Sequence, residues 1–413
     1  MPAFAISYFH RVGLAAVGDG LQTDLQIGAA ALGLLSSLYF YIYAVMQIPA
    51  GALADTVGPR RTIAASLAVT AVGTLIFAVS PTYAIAAIGR LLVGLGVAAI
   101  FTCILKIQAE WFPPRLFGTL SGLLVTMGNF SGLLAYTPTA AATALLGWRT
   151  TFAVIAALTL VILGATWLIV RDRPADLGLA APEGAAPPGR EIKLGAALRS
   201  IAGNWRTWPA FMAGFAVYGS IITLAGAWAV PYLRDVYEFD RMEATSLAQL
   251  TLLGLAIGAP ITGWISDRLR ARRLPYVVLV LCLGLVTAWL AFGQPPKEWI
   301  GALLFTAGLS ASAFALTWAA AKEVNPPEYA GLSVGLANAG GFVGVAVLQP
   351  LVGIILDRVG TGPSGYQTAF QALFWACILS LGAAALLTET RARNIWSELR
   401  AQQPHTPDSF PLK

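Results

Sequence analysis

Charge is scarce in this sequence. Asp, Glu, Lys and Arg make up 11% of its 413 residues, whereas 57% of the residues are hydrophobic and the mean hydropathy is +0.72. A water-soluble protein of this length needs a far larger charged surface. The composition therefore excludes a soluble globular protein and predicts a polytopic membrane protein in contact with a lipid bilayer.

Histidine and cysteine are also rare. The chain has two histidines, His10 and His405, and three cysteines, which all fall within apolar segments. It has no His-Glu-x-x-His zinc motif, no Gly-x-Ser-x-Gly nucleophile elbow and no nucleotide-binding loop. These absences disfavour an enzyme, a metal site, a disulfide framework and transport driven by ATP. We expect no cofactor.

Basic residues outnumber acidic residues by 26 to 20, which gives a formal net charge of +6. Most of them lie in short loops between apolar segments, where they orient spans rather than bind nucleic acid. With both termini in the cytoplasm, seventeen basic residues fall on that side and five on the other. We therefore expect cytoplasmic termini, a multi-pass protein of a bacterial inner membrane, and no nucleic-acid partner.

Hydrophobic runs bounded by polar turns give twelve predicted membrane spans. Each is long enough to cross a bilayer core, which takes about 20 helical residues. The first run begins almost at Met1, without the basic segment and cleavage site of a signal peptide, so we interpret it as a retained span. The predicted spans are 2–22, 29–53, 62–80, 83–109, 116–138, 150–170, 207–232, 246–266, 275–293, 299–322, 329–354 and 368–388.

A polar stretch interrupts the apolar sequence at Gly51–Arg61 and returns at Gly263–Arg273. The first glycine, the aspartate and both arginines recur in the second copy at one common offset. A second pair of stretches, Glu110–Gly122 and Glu323–Gly335, keeps almost the same offset. Two landmarks with nearly equal offsets predict duplicated halves, which are typical of transporters.

The repeat and a Pro/Ala/Gly-rich stretch between its copies divide the chain into four predicted regions. Residues 1–170 form a first six-helix bundle and residues 206–390 a second one. Residues 171–205 form a cytoplasmic linker, in which apolar and basic residues interleave as in a helix that lies on a membrane surface. Residues 391–413 form a cytoplasmic tail.

The Gly-x-x-x-Asp-x-x-Gly-x-Arg-Arg pattern of Gly51–Arg61 resembles the loop motif between helices 2 and 3 of the major facilitator superfamily of transporters. Asp267–Arg273 resembles the family's echo of that motif between helices 8 and 9, although it lacks the glycine that Gly58 supplies in the first copy. The resemblance implies an all-α integral membrane protein with twelve transmembrane helices in two pseudo-symmetric six-helix bundles. It also implies a monomer that moves a small-molecule substrate by alternating access, with or without a coupling proton or other ion.

Arg11 lies near the middle of the first predicted span. A guanidinium at that depth is costly unless it faces a wet cavity or a partner. The stretch Tyr8–Leu14 resembles the first helix of the superfamily's organic-anion branches, whose arginine contacts the anionic group of the substrate. Gly13 stands where those carriers have asparagine. The alternative is an arginine paired internally with a carboxylate or with backbone carbonyls.

The charges within the predicted spans favour an anionic substrate. Four basic side chains lie in or at the end of these spans, and two acidic ones directly follow the fourth and tenth spans: Arg11, Arg90, Lys106, Lys322, Glu110 and Glu323. We therefore predict a secondary active or facilitative transporter of a small organic anion of the carboxylate type. A proton-coupled exporter of drugs or amphiphiles, a carrier of peptides or other zwitterions, and a non-transporting membrane sensor remain alternatives.

Polar and aromatic side chains within the spans are candidate substrate ligands. Three of them recur every four residues in the second span and so follow one helix face. The alternative for each candidate is an interhelical hydrogen bond or interface packing. The candidates are Tyr8, Arg11, Tyr39, Tyr43, Gln47, Asn129, Tyr218, Gln249, Trp318, Lys322 and Asn338.

Charged residues near the cytoplasmic ends of the spans are candidates for an inner gate. In the major facilitator fold, spans 4 and 10 face each other across the two halves. We therefore expect Lys106 to pair with Glu323, and Lys322 with Glu110, when the cytoplasmic side closes. The alternative is that each glutamate anchors a loop by pairing with the motif arginines. Conformational latches are expected at the helix ends, from Asp55, Arg60, Arg61, Asp267 and Arg272.

Arg90 opens a glycine-rich stretch that resembles the fourth-helix motif of the superfamily. Its glycines predict close approach of a neighbouring helix. We expect the Arg90 side chain to bond backbone groups or Asp19, with a role in proton coupling as the alternative.

Overall fold

A computed structural model of the chain describes residues 2–112, 120, 123–124, 127–128, 130–132, 135–180 and 194–401. Within these ranges the chain forms helices and no β-strand, which confirms the all-α fold class. The helices of the first half are α1 (Pro2–Val12), α2 (Gly18–Leu25), α3 (Ala29–Thr56), α4 (Pro59–Ala78), α5 (Tyr83–Val97), α6 (Ile100–Trp111) and α7 (Thr137–Ile169).

In the predicted linker, 171–205, the described residues include the α-helix α8 (Leu194–Gly203). The helices of the second half are α9 (Trp208–Thr223), α10 (Ala229–Tyr237), α11 (Arg241–Leu269), α12 (Arg273–Phe292), α13 (Ile300–Ala311), α14 (Phe314–Glu323), α15 (Ala330–Val359) and α16 (Pro363–Leu386), and a last short helix, α17 (Trp396–Ala401), follows them.

Ten helical runs in the described ranges are long and apolar enough to cross a membrane, whereas the sequence predicts twelve spans. The predicted first span, 2–22, is divided into α1 and α2 by a 3-10 turn at Gly13–Ala16. The predicted fifth span, 116–138, is described only in part, with gaps at 116–119, 121–122, 125–126, 129 and 133–134. Gly147 has a φ of 77° and interrupts α7 just before the predicted sixth span begins.

The first and seventh spans are interrupted at matching positions. α1 ends at Val12 and passes into its 3-10 turn, and α9 ends at Thr223 and passes into a π-helical segment, Leu224–Trp228. The separation of these two segments along the chain is nearly the same as the offset of the repeated loop. Paired interruptions in two related halves are typical of the substrate sites of transporters.

The fourth and tenth spans are interrupted at matching positions as well. α5 and α6 are separated at Ala98–Ala99, and α13 and α14 are separated at Ser312–Ala313. These two breaks again keep nearly the offset of the repeated loop. The two halves therefore share one helix plan, as expected of two pseudo-symmetric bundles.

The N-termini of α4 and α12 are capped by carboxylates that follow the last long helix of the same half. Asp172 accepts the backbone N–H of Arg60 at 2.6 Å. Glu389 accepts the backbone N–H groups of Arg272 and Arg273 at 3.0 to 3.1 Å. A carboxylate at a helix N-terminus satisfies free N–H groups and complements the helix dipole. We call the end of the bundle at which α4 and α12 begin the arginine-rich end.

The linker helix α8 has the pattern of a helix that lies on a surface. It buries Ala197 and Ile201 and exposes Arg199. An apolar face packed beneath a basic one is the arrangement expected at a membrane interface.

The first part of the tail packs on the second half. The N–H of Ile395 donates to the carbonyl of Glu323 at 2.8 Å, and the side chains of Ile395 and Leu399 pack with Val324. Residues 402–413 lie outside the described ranges. The tail thus adds a small apolar cluster to the arginine-rich end.

The cap at Glu389 predicts a measurable pH dependence of stability. Partial burial raises the pKa of this carboxyl, but the backbone N–H groups of Arg272, Arg273 and Arg391 outweigh it and hold the pKa below its usual range. A lowered folded-state pKa means that the stabilisation is present above the unfolded pKa, about 4.3 for glutamate, and is lost as the pH falls through the folded value. Glu389→Gln should therefore cost about 1 kcal/mol of stability at pH 7 and less at low pH.

The measurement is the melting temperature in detergent at pH 7 and near pH 4. The matched control is Glu398→Gln, because Glu398 pairs with Arg393 on an exposed surface. Equal losses for both variants, or a Glu389→Gln loss that grows on acidification, would contradict the cap.

Candidate functional site

Arg11 lies in the last turn of α1, directly before the helix breaks. The residue is 7% exposed. Its Nη1 donates to the Tyr218 hydroxyl at 3.0 Å, and this hydrogen bond joins the two halves. The guanidinium carbon lies 4.4 Å from the ring centre of Tyr8, 5.6 Å from that of Tyr43 and 5.2 Å from that of Phe342. Aromatic faces attract a cation at these distances.

Arg11 has no carboxylate partner within the described part of the chain. Its Nε is buried and bonds to no acceptor among those residues. Five N–H groups on a guanidinium normally find oxygen acceptors when they are buried. The site therefore holds a positive charge whose hydrogen-bonding capacity is only partly used.

The broken end of α1 is held by Arg90. Both terminal nitrogens of this buried side chain donate to the His10 carbonyl at 3.2 Å, and its guanidinium lies 5.5 Å from the Tyr39 ring centre. Arg90 thus bonds the backbone, one of the two arrangements expected from the sequence. The other expected partner, Asp19, bonds elsewhere, as described below.

Four of the predicted ligands, Tyr8, Tyr39, Tyr43 and Tyr218, gather around Arg11. Tyr39 and Tyr43 stack with their ring centres 5.7 Å apart, and the Tyr39 hydroxyl donates to the Ser7 carbonyl at 3.2 Å. Trp318 joins this group indirectly, through the ring of Phe314. The first span and the seventh therefore meet at a centre rich in aromatic rings.

The remaining predicted ligands are not brought to Arg11 by any described contact. Gln249 accepts a hydrogen bond from Thr137 at 3.2 Å, and Lys322 is exposed at the arginine-rich end. Gln47 is half-buried one turn beyond Tyr43, and Asn338 is half-buried one turn before Phe342. Asn129 lies outside the described residues. The roles of these residues as substrate ligands stay predictions.

The candidate gate residue Glu323 bonds within its own half. Arg272 donates to its carboxylate through Nε and Nη2, at 2.6 to 3.2 Å, and the Thr390 hydroxyl donates to it as well. Arg272 also donates to Asp267 at 2.6 Å and to Ser266 at 2.9 Å. The loop-anchoring alternative therefore describes Glu323 in this conformation. The pairing of Lys106 with Glu323 stays a prediction for a conformation closed at this end.

The matching residues of the first half form a cleft of about 280 Å³. Lys106 donates to the Ala54 carbonyl at 3.1 Å, and both Lys106 and Glu110 line this cleft together with Asp172. Arg60 donates to the Trp167 carbonyl at 2.6 and 3.2 Å. Arg61 is exposed, and the placement of the Asp55 side chain is outside what the structure describes. The latch roles of Asp55, Arg60 and Arg61 stay predictions.

At the opposite end of the bundle, ion pairs and helix caps join the two halves. Asp19 pairs with Arg241 at 2.9 Å and with Arg234. Asp357, near the end of α15, accepts the backbone N–H groups of Ala29 and Ala30 at 2.7 and 2.9 Å and so caps α3. We call this end the aspartate end. The sequence pattern does not single out Asp357, although an aspartate near a helix C-terminus is a signal that it needs a partner elsewhere.

Toward the aspartate end, the backbones of helices α3 and α15 approach each other closely. A Cβ at Gly33 would lie 2.8 Å from the Gln349 carbonyl oxygen, and a Cβ at Gly353 would lie 2.6 Å from that of Ala29. By contrast, no described atom lies within 4 Å of a Cβ built at Gly331 or Gly335, further along α15 toward the arginine-rich end. The structure is therefore closed at the aspartate end, and α15 is less enclosed at the other.

Comparison with known proteins agrees with this architecture. The chain matches the family model described as Major Facilitator Superfamily over residues 1–347 and again over residues 252–407. It is 25% identical over 402 residues to a probable sulfoacetate transporter of Cupriavidus necator, covering 93% of this chain and 90% of that one. It is also 25% identical over 390 residues to the hexuronate transporter of Bacillus subtilis, covering 89% of each chain.

The fold is similar to that of a solved bacterial homologue of the human lysosomal transporter Spinster in an inward-facing, unoccupied conformation. The TM-score is 0.73 at 16% identity, and the alignment covers 93% of this chain and 94% of that one. The helix plan, the paired breaks and the family match over nearly the whole length lead to one conclusion: the chain belongs to the major facilitator superfamily.

Proposed function

We propose that the protein is a secondary active or facilitative transporter that moves a small organic anion of the carboxylate type across the membrane by alternating access. Arg11 binds the negative group of the substrate. The observation that carries this proposal is a buried guanidinium at the junction of the two halves, with no carboxylate partner among the described residues. An anion from solution is the natural acceptor for such a group.

The names of the relatives support an anion. Sulfoacetate and hexuronate are both small organic acids that are ionised at neutral pH. The relatives are only 25% identical to this chain, so their particular substrates are not carried over. What the two substrates share is an anionic group on a small organic body.

The contacts between the halves support alternating access. The inter-half bonds Arg11–Tyr218, Ala29–Asp357, Ser37–Gln349 and Asp19–Arg241 lie between Arg11 and the aspartate end. The ion pairs at the arginine-rich end lie within single halves. The excess of basic residues favours a cytoplasmic location for that end, so we infer that this conformation opens toward the cytoplasm. The carrier acts as a monomer in a bacterial inner membrane, with cytoplasmic termini.

The two alternative carriers find less support. A cationic drug needs an acidic side chain near the site, and the described residues that contact Arg11 are aromatic. A zwitterion needs a second, opposite charge at the site, but Glu323 is bonded by Arg272 in this conformation. A small anion needs only a positively charged group, which Arg11 supplies.

The first test of this function is substitution of Arg11. A panel of organic anions, organic cations and dipeptides identifies ligands by the rise in melting temperature of the detergent-solubilised protein. With an anion that stabilises the protein, Arg11→Lys should weaken binding by about tenfold or more, because lysine keeps the charge and loses the bidentate geometry. Arg11→Ala should abolish binding and uptake into proteoliposomes.

The matched control is Arg149→Ala, since Arg149 pairs with Asp24 within the first half at the aspartate end. It should leave binding unchanged. Near-normal anion binding by a folded Arg11→Ala protein, or stabilisation by cations or dipeptides alone, would refute the proposal.

The second test concerns closure of the aspartate end. Asp19→Asn removes the charge that joins α2 to Arg234 and Arg241 of the second half, so the closed conformation should become less populated. Spin labels at Thr23 and Thr361, both exposed at this end on different halves, report the separation. Their distance distribution should gain a longer component in the variant.

Asp24→Asn is the control, because Asp24 bonds Trp148 and Arg149 of its own half. It sits at the same end and removes the same charge, so it should leave the distances unchanged. If Asp19→Asn and Asp24→Asn behave alike, the Asp19 ion pairs do not hold the halves together.

A further inference from the structure

We infer that the anion recognised at Arg11 carries its carboxylate on a flat, apolar body, in the class of small aromatic monocarboxylates, rather than on a polyhydroxylated chain. This inference rests on the proposed function, because it takes Arg11 as the ligand of the negative group. It concerns the other part of the substrate, the part that the surroundings of Arg11 must accommodate.

The rings beside Arg11 fix where a carboxylate can approach. Tyr8, Tyr43 and Phe342 all place their ring centres within 5.6 Å of the guanidinium carbon. Nη1 is already bonded to Tyr218, and the buried Nε has no acceptor among the described residues. The unused hydrogen-bonding capacity therefore lies on the Nε side of the guanidinium, and a planar carboxylate matches such an edge.

The second half lines this region with a continuous chain of rings, which we call the aromatic wall. Phe342 meets Tyr218 edge to face at 5.5 Å, Tyr218 stacks on Phe314 at 4.4 Å, and Phe314 meets Trp318 edge to face at 5.0 Å. α14 runs from Phe314 toward Glu323, so the wall extends from Arg11 toward the arginine-rich end. An aromatic ring held by its carboxylate at Arg11 would continue this series of ring contacts.

Several hydrogen-bonding side chains near Arg11 are already engaged. The Tyr39 hydroxyl donates to a backbone carbonyl of α1, and the Tyr218 hydroxyl accepts from Arg11. Gln349 accepts from Ser37, and its Nε2 has no acceptor among the described residues. A polyhydroxylated acid would bring several hydroxyl groups out of water, and each one that stays unpaired beside these rings weakens binding. A substrate with an apolar body has no hydroxyl groups to leave unpaired, so its binding is not weakened in this way.

One donor on the wall also lacks a partner. The indole Nε1 of Trp318 is buried and has no acceptor among the described residues. It lies at the far end of the wall from Arg11, where it can donate only to a polar group on the distal side of the ligand. A single ring hydroxyl or a second oxygen on an aromatic acid meets that requirement, so the class includes hydroxylated aromatic acids.

The experiment measures four probes against the purified full-length protein: benzoate, 4-hydroxybenzoate, glucuronate and the neutral benzyl alcohol. Melting-temperature shifts and competition in proteoliposome uptake give relative affinities. Benzoate or 4-hydroxybenzoate should bind at least about tenfold more tightly than glucuronate, the preference expected from ring contacts together with unpaired hydroxyl groups. Benzyl alcohol should not bind.

The outcomes separate this inference from the proposed function. Glucuronate binding as tightly as the aromatic acids, or no aromatic acid binding at millimolar concentration, overturns the inference and leaves an anion transporter in place. Benzyl alcohol binding as well as benzoate, with no effect of Arg11→Ala, overturns the proposed function itself.

Substitutions in the wall provide a second readout. Phe314→Leu and Phe342→Leu keep an apolar side chain but remove the ring, so each should reduce the ratio of benzoate to glucuronate affinity by about three- to tenfold. The matched control is Phe374→Leu in the same half, which removes a ring that packs against Phe292 and Trp375 away from Arg11. A control variant that changes the ratio as much as the wall variants would contradict the inference, and melting temperatures verify that every variant is folded.

Discussion

A buried guanidinium that lacks a carboxylate partner among the described residues is the constraint on which the centre of this molecule depends. Arg11 meets one phenolic hydroxyl and three aromatic faces, which attract a cation without neutralising it. A charge at this depth in a membrane protein is costly, and a neutral partner offsets only part of that cost. The ligand-free protein therefore holds a positive charge at its centre that the described side chains do not neutralise. Under the proposed function, a substrate with a negative group neutralises this charge.

The position of that charge follows from breaks in the backbone. Where a helix is interrupted at membrane depth, carbonyl groups lose their partners and need donors from elsewhere. Arg90 supplies two donors to the His10 carbonyl, and the Tyr136 hydroxyl donates to the Ala225 carbonyl in the matching π-helical segment. The breaks of the two halves lie against each other, since a Cβ at Gly226 would be 3.6 Å from the Arg11 carbonyl oxygen. The first half thus supplies donors to both breaks, and the breaks together bring Arg11 to Tyr218.

The sequence is sufficient for the architecture because the relevant signals are local. Apolar runs of span length and the recurring Gly51–Arg61 loop are visible without any tertiary contact, and so is a lone arginine within a span. The breaks are not visible, because no proline marks Gly13–Ala16 or Leu224–Trp228. The sequence also does not determine which partner a charged side chain bonds. Glu323 and Asp357 are both charged residues near helix ends. Tertiary packing decides that Glu323 bonds Arg272 and that Asp357 caps α3.

Under the proposal that Arg11 binds the substrate, the location of the Arg11–Tyr218 bond links occupancy of the site to the conformation of the carrier. This bond joins the two halves at the centre, with the closed aspartate end on one side and the less enclosed part of α15 on the other. A ligand on Arg11 therefore changes the electrostatics of a bond that exists only when the halves are close. A ligand shifts a conformational equilibrium only by the difference between its affinities for the two states. An anion that bridges Arg11 and the aromatic side chains of the second half would bind the two states with different affinities, because separating the halves at this point removes one set of its contacts.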